Sequence, residues 1–357
     1  MNEQTISIDV FKKYPAIDEA KADALLKKEI EANETKIVVL DDDPTGVQTV
    51  HDVSVYTDWS RESIRKGFEE KNKLFYILTN SRGFTTEQTT AAHEEIASNI
   101  AAVAKDMGIR YIIMSRSDST LRGHYPLETE ILRKSYEKNT GKAIDGEILC
   151  PFFKEGGRFT IDDVHYVQYD DKLIPANETE FARDRTFGYS ASTMPEYVEE
   201  KTGGVYKAGD VIGISLKDIH EMAIDKMEAQ LIEVKDFNKI VVNAIDYADI
   251  KVFCVALYRA MAKGKVFMFR TAAALVKVMG GVSDQPLLTR EQMIVKETTN
   301  GGIIVIGSHT DKTTKQMEHL KGRSDIEFIE LNATLVQDDA AFAAEVQRCL
   351  DRERSEE

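Results

Sequence analysis

Three short stretches carry residues whose types and spacing can do chemistry. The first is Asp41-Asp42-Asp43-Pro44-Thr45-Gly46, three adjacent carboxylates followed by a turn and a hydroxyl. The second is Asn80-Ser81-Arg82-Gly83, and the third is Asp118-Ser119-Thr120-Leu121-Arg122-Gly123. Adjacent carboxylates repel one another unless a cation or a hydrogen-bonding ligand compensates. Asp41, Asp42, Asp43, Thr45 and Asp118 can hold hydroxyls or a cation, while Arg82, Arg116 and Arg122 can grip a carboxylate with a bidentate fork. A small hydroxy acid would use both sets. Taken singly, these residues also suit a solvated acidic turn and surface ion pairs. Arg82 and Arg122 stand out because each follows an apolar run in a segment rich in Ser and Gly.

Those apolar runs are the elements that must position the chemistry. Ile37-Val38-Val39-Leu40, Leu74 to Leu78 and Tyr111 to Met114 lack polar alternation, which suits strands buried on both faces of a parallel sheet. The polar residues then lie at the carboxyl ends, where open α/β sheets bind ligands. Helix-like segments separate the strands: about Ile17 to Asn33, Arg61 to Lys71, Thr86 to Met107 with Thr85 or Thr86 as N-cap, and Leu127 to Glu137. The expected fold is α/β, a doubly wound, mostly parallel sheet with one polar rim.

Further along, Glu147 to Pro151 reads as a strand running into a Gly-rich loop that ends at Arg158. Val211 to Ile214, Ile240 to Ala244 and Val266 to Phe269 read as strands, the last closed by Arg270-Thr271, and Asp246 is a further carboxylate for the rim. Ile219 to Val234 and about Ile250 to Ala262 read as helices. Phe159 to Gly204 is polar, aromatic and weakly periodic, the pattern of a functional lid. Gly280-Gly281 to about Asn300 breaks the periodicity as a linker would. Beyond it, Gly301 to Thr310 reads as a strand ending in a Gly307-Ser308 turn. The helix Lys312 to Leu320, the strand Ile326 to Leu331 and the helix Ala340 to Leu350 follow. Backbone N–H groups at such a helix start can hold a phosphate. The expected organisation is a helical extension over 1–35, a large domain over 36–285, a linker over 286–300 and a second, incomplete α/β domain over 301–357, too small to stand alone.

The 357 residues carry a net charge of −15, which argues against a general nucleic-acid surface and leaves local arginines to meet any anionic ligand. Three scattered cysteines, Cys150, Cys254 and Cys349, fit a reducing compartment and give no zinc spacing. No apolar run reaches the roughly 18 residues of a membrane span, and Met1 to Val10 lacks a signal-peptide pattern. A cytoplasmic protein is expected.

Taken together, Asp42 to Gly46, Asn80-Ser81-Arg82, Asp118 to Gly123, Pro151 to Arg158, Thr179 to Asp184 and Val305 to Ser308 resemble the four-carbon acid sugar kinases, enzymes of D-threonate, D-erythronate and 3-oxo-tetronate phosphorylation. The resemblance runs from about Lys36 to the end. It implies a sugar-acid-binding N-terminal domain and an ATP-binding C-terminal domain, with Mg²⁺ on the phosphates and phosphate transferred to the C4 hydroxyl. In that scheme Asp42, Asp43 and Asp118 are catalytic, with Asp42 and Asp43 holding or deprotonating substrate hydroxyls. Thr45, Gly46, Ser81, Arg82, Ser119 and Arg122 bind substrate, and Gly307 and Ser308 contact ATP. Relatives continue well beyond the last helix here, in a part that carries their glycine-rich phosphate loops, so the chain is expected to be C-terminally incomplete. His124 stands where relatives often have Asn. A homodimer is expected from the family and from the long 159–204 segment.

Two rivals stand beside this reading. Asp41-x-Asp43-x-Thr45 after a buried strand fits a haloacid dehalogenase-like phosphatase, with Asp41 as nucleophile, Asp43 as general acid and Mg²⁺ beside them. The other is a sugar-acid-binding module without phosphoryl transfer.

Overall fold

The computed structural model describes residues 5–294, 296, 301–308 and 310–354. It divides into two compact units, Met1–Pro286 and Leu287–Glu357. The first opens with strand β1 (Ile6–Ser7) and helix α1 (Glu19–Ala32), then β2 (Lys36–Asp41), β3 (Val55–Tyr56), α2 (Arg61–Glu69), β4 (Leu74–Leu78), α3 (Thr86–Met107), β5 (Tyr111–Arg116), α4 (Leu127–Thr140) and β6 (Gly146–Cys150). It continues through β7 (Arg158–Ile161), β8 (Val164–Tyr169), β9 (Lys172–Pro175), α5 (Met194–Lys201), β10 (Ile212–Ile214), α6 (Leu216–His220), α7 (Ile224–Glu233), β11 (Asn238–Val242), α8 (Tyr247–Ala262), β12 (Phe267–Thr271) and α9 (Ala273–Gly280).

Eight strands form one sheet in the order β10-β11-β6-β12-β5-β2-β4-β3, and every pairing in it is parallel. Along β2, Ile37 and Val39 join the core on one face and Val38 and Leu40 the core on the other. All four are at most 2% exposed, which is why the strand shows no polar alternation. Helices α1, α8 and α9 cover the first face and α2, α3 and α4 the second. Helix α3 starts and stops where its sequence says: Thr85 and Gln88 form a capping box, and Gly108 takes the left-handed C-cap at φ 67°. From β2 the chain moves to β3 at one edge, inserts β4, then returns to the other side of β2 with β5. This reversal makes the crevice above β2 and β5 a topological switch point.

The 159–204 segment is not the element-poor lid expected. Strands β7, β8 and β9 form an antiparallel meander, joined by β1 in the order β1-β9-β8-β7. Its first turn is Asp162-Asp163, at φ 48° and 62°, the left-handed pair that a two-residue hairpin needs. Aspartate tolerates that conformation, so acidic pairs here are turn residues. The N-terminal residues, expected as a separate helical extension, supply an edge strand and a helix to this same unit. The single helix expected over Ile219 to Val234 is two, broken where Met222 adopts φ 49°.

In the second unit the helices α10 (Arg290–Met293), α11 (Asp311–Leu320) and α12 (Asp339–Arg354) form. The strands expected over Gly301 to Thr310 and Ile326 to Leu331 do not appear among the described residues, and His309 lies outside them. A strand needs pairing partners and a surface to cover, and two βα units supply neither. No described helix is long and apolar enough to cross a membrane.

Candidate functional site

Strands β2, β4, β5 and β12 deliver their C-terminal residues to one rim. Arg82, just past β4, is the hub: Nη2 and Nε donate to the two oxygens of Asp42 at 2.7 and 3.3 Å, and Nη1 donates to Asp43 Oδ2 at 2.6 Å. Asp118 Oδ1 lies 3.9 Å from Arg82. Arg122 clasps Asp118 in turn, through Nε at 2.8 Å and Nη2 at 3.2 Å. Thr45 caps Asp43 with its backbone N–H at 2.7 Å and its hydroxyl. The expected acids and arginines thus meet, but they pair with one another, acids neutralising the arginines expected for a ligand.

Beneath this surface layer lies a buried one. Ser81 donates to Glu128 Oε1 at 2.6 Å, and Arg270 Nη1 reaches Glu128 Oε2 at 3.2 Å. His93 Nε2 sits 3.7 Å from Glu128, and Arg270 also binds the Ser117 hydroxyl and the Arg122 carbonyl. Glu128, His93, Ser81 and Arg270 are all buried. Glu128 and Arg270 went unread in the sequence. A glutamate in the first turn of α4 suits the helix dipole without any ligand, and Arg270 looked like a strand terminus. The signal was there: Phe267-Met268-Phe269-Arg270-Thr271 places a charge inside a strand that the flanking residues require to be buried.

The loop from Asp118 to Gly123 is held in sparsely populated backbone conformations. Leu121 has φ 71° and Gly123 φ 112°. A Cβ on Gly123 would stand 3.0 Å from Arg270 Nη2 and 3.1 Å from Asp42 Oδ2, so only glycine lets these charges close in. The meander and the segment after it pin the loop. Tyr189 and Tyr197 donate to the carbonyls of Thr120 and Leu121 at 3.1 and 2.8 Å, and His165 contacts the Ser119 carbonyl at 2.7 Å. Below the loop, Asp118, Leu149, Met194, Tyr197 and Arg270 line a small recess.

The electrostatics divide the aspartates. Burial pushes Asp41 up to about 7 and Asp42 up to about 6, with Arg116 and Arg82 respectively pulling the other way. Burial would raise Asp118 too, but the hydrogen bond and charge of Arg122, with Arg82, hold it well below the usual range. Asp43 is also lowered, since Thr45 and Arg82 outweigh its partial burial. Asp41 is held inside the sheet's end, where it also accepts from the Asp43 backbone N–H at 3.3 Å. It is 2% exposed, 3.1 Å from Arg116, and a Cβ on Gly46 would fall 1.5 Å from its carboxylate. Its carboxylate is thus engaged by Arg116, whereas Asp42 and Asp43 are engaged by Arg82.

Asp246, expected at the rim, is spent as the N-cap of α8 and in an ion pair with Lys154 at 2.5 Å. Gly307 and Ser308 belong to the second unit, where Ser308 Oγ accepts from Thr313 at 3.0 Å beside the start of α11. No group of three acidic, histidine or cysteine side chains able to hold a metal ion occurs among the described residues.

Comparison with known proteins agrees with the fold. A domain of unknown function, DUF1537, from Bordetella bronchiseptica, solved with citrate as a domain-swapped dimer, matches in two crystal forms. One has 18% identity and a TM-score of 0.50, covering 70% of this chain and 57% of that one. The other has 17% identity and a TM-score of 0.50, covering 89% and 71%. A DUF1537 protein from Haemophilus influenzae matches at 15% identity and a TM-score of 0.46, over 80% and 65% of the two chains. The chain thus spans 57% of the first of these. No curated protein matches it. The sequence family described as "Sugar-binding N-terminal domain" matches residues 37–279, the stretch that holds the eight-stranded sheet and every charged residue of the rim, and the chain belongs to that family.

Proposed function

We propose that the chain is the sugar-acid-binding part of an ATP-dependent kinase acting on the terminal hydroxyl of a four-carbon sugar acid such as threonate, erythronate or an oxo-tetronate. The carrying observation is the rim itself: Asp42, Asp43 and Asp118 beside Arg82 and Arg122, at the switch point of the family-matched sheet. A polyhydroxy acid exchanges its hydroxyls and carboxylate for the internal ion pairs with little loss of hydrogen bonding. The citrate held by the DUF1537 neighbour, itself a hydroxy acid, is in keeping with this.

In this reading Asp42, Asp43 and Asp118 hold and orient the hydroxyls, with Thr45, Gly46, Ser81 and Ser119 shaping their surroundings. Low-lying Asp43 and Asp118 are weak bases, which suits phosphoryl transfer, a reaction that depends chiefly on positioning and charge stabilisation. ATP belongs with Gly307 and Ser308. Mg²⁺ would arrive on the nucleotide's phosphates. We place the protein in the cytoplasm, as a homodimer. A second reading is sugar-acid binding without transfer, favoured by the second unit forming no strand among its described residues.

The test is a thermal-shift panel with D-threonate, D-erythronate, their L forms and MgATP, followed by an assay for ADP release. A ligand present at about a hundredfold over its Kd stabilises by roughly 2.7 kcal/mol. A shift with a four-carbon acid and acid-dependent ADP release support the kinase. A shift without ADP release supports the binding module, and no shift with any four-carbon acid overturns both.

A further inference from the structure

Arg158 stands apart from the other arginines of the rim. Arg82, Arg116, Arg122 and Arg270 each have a carboxylate partner. Arg158 has none within ion-pair distance among the described residues. Its Nη1 donates to the Gly156 carbonyl, and its Nε is buried without a hydrogen-bond partner. The backbone is fixed, because Arg158 opens β7 and exchanges both hydrogen bonds with Phe153 at 2.9 and 3.0 Å. The guanidinium lies 5.2 Å from the centre of the Phe181 ring, and that of Arg122 lies 5.1 Å from the same centre.

Two guanidinium groups thus share one aromatic platform, and Arg122 leads directly to Asp118. Glu180, whose charge also acts on Arg158, is itself bound by the Tyr169 hydroxyl at 2.9 Å. Burial lowers Arg158 and the charge of Asp118 partly restores it, so Asp118 and Arg158 share one field. A half-buried cation with an unused donor is costly unless an anion arrives.

We infer that Arg158 is the anchor for the ligand's carboxylate: its guanidinium, stacked on Phe181 beside Arg122, pairs with the acid group while Asp118 and Asp43 take the hydroxyls. This deepens the proposed function and rests on it for the identity of the acid. It also assigns the antiparallel sheet a task, since β7 brings a charge to a rim otherwise built by the parallel one.

The experiment is calorimetric titration of the full chain, as wild type, Arg158→Gln, Arg158→Lys and Phe181→Leu, with D-threonate, D-erythronate, the neutral polyols threitol and erythritol, and inorganic phosphate. A charge-assisted hydrogen bond of this kind corresponds to roughly 10- to 100-fold in affinity. Arg158→Gln is expected to lose that much for the acids and nothing for the polyols, with Arg158→Lys intermediate and Phe181→Leu weakened severalfold. Acid binding by Arg158→Gln equal to wild type overturns the inference and leaves the kinase reading standing. A loss confined to phosphate overturns it as well. If Arg158→Gln does not fold, unchanged acid affinity in both Arg158→Lys and Phe181→Leu overturns it. If wild type binds no four-carbon acid, the proposed function fails. The anchor is then judged with citrate: weaker binding by Arg158→Gln supports it, and equal binding, or no binding by wild type, overturns it.

Discussion

Ile37-Val38-Val39-Leu40 and Ile303-Ile304-Val305-Ile306 are almost the same four residues with different fates. The first quartet sits between β4 and β5, at most 2% exposed. The second forms no strand among the described residues and is 42–86% exposed. Strand preference is largely a fit to surroundings, and the surroundings differ. One run has paired edges and helices on both faces; the other has neither among the described residues. Propensity permits a strand, and neighbours decide it.

That contrast can be broken or sharpened by matched substitutions, read by the fluorescence of Trp59, the single tryptophan, which lies in the first unit. The largest effect is expected from Val39→Asp, which buries an unpaired charge and should abolish folding of the first unit. Val305→Asp should leave the unfolding free energy within about 0.5 kcal/mol of wild type. Equal effects would mean that the second quartet is buried in solution.

Next comes Arg82→Ala, which strands Asp42 and Asp43 and should destabilise by about 3 kcal/mol in urea titration. Its counterpart, Arg323→Ala, removes an exposed pair with Asp325 and should produce no measurable change. A smaller loss, about 1–3 kcal/mol, is expected for Gly46→Ala, whose Cβ collides with Asp41. Gly307→Ala meets no atom within 4 Å and should be silent.

The last contrast is a difference in sign with pH. The folded-state value of Asp41, about 7, lies above its unfolded 3.8, so its contribution is full below pH 3.8 and is lost as pH rises through 7. Asp41→Asn should flatten that decline in the first unit. Glu345 in the second unit, lowered to about 2 by Arg348, contributes above pH 4.5 and loses that contribution as pH falls through 2. An Asp41→Asn protein whose stability changes with pH between 4 and 7 just as the wild type's does would show that Asp41 is less buried than described.

The same contrast explains what the sequence disclosed. Parallel strands buried on both faces announce themselves as unbroken apolar runs, so β2, β4, β5 and the helices between them were legible. The polar tips of those strands were legible as a site for the same reason. The meander was not, because its turns are Asp162-Asp163 and Asp170-Asp171 instead of a glycine pair, and its strands mix aromatic with polar residues. The pairing within the buried layer of Glu128, His93 and Arg270 was illegible for a third reason: the strand around Arg270 signals a buried charge, but partners 142 residues apart along the chain do not name one another. Pairing of Arg82 and Arg122 with the rim acids was likewise beyond reach, since composition counts charges without saying which ones cancel.

Strand β12 carries one more consequence. It lies between β5 and β6 yet follows both in sequence, so the sheet's two halves touch only through the last of its strands to leave the ribosome. Until residues 267–271 have emerged the sheet cannot close, and the edges of β5 and β6 that β12 covers stay unpaired, the kind of surface on which chains aggregate. Arg270 travels on that same strand. The stroke that closes the sheet therefore also delivers the cation that locks Glu128, and a polypeptide stalled short of it has neither a finished sheet nor a finished pocket.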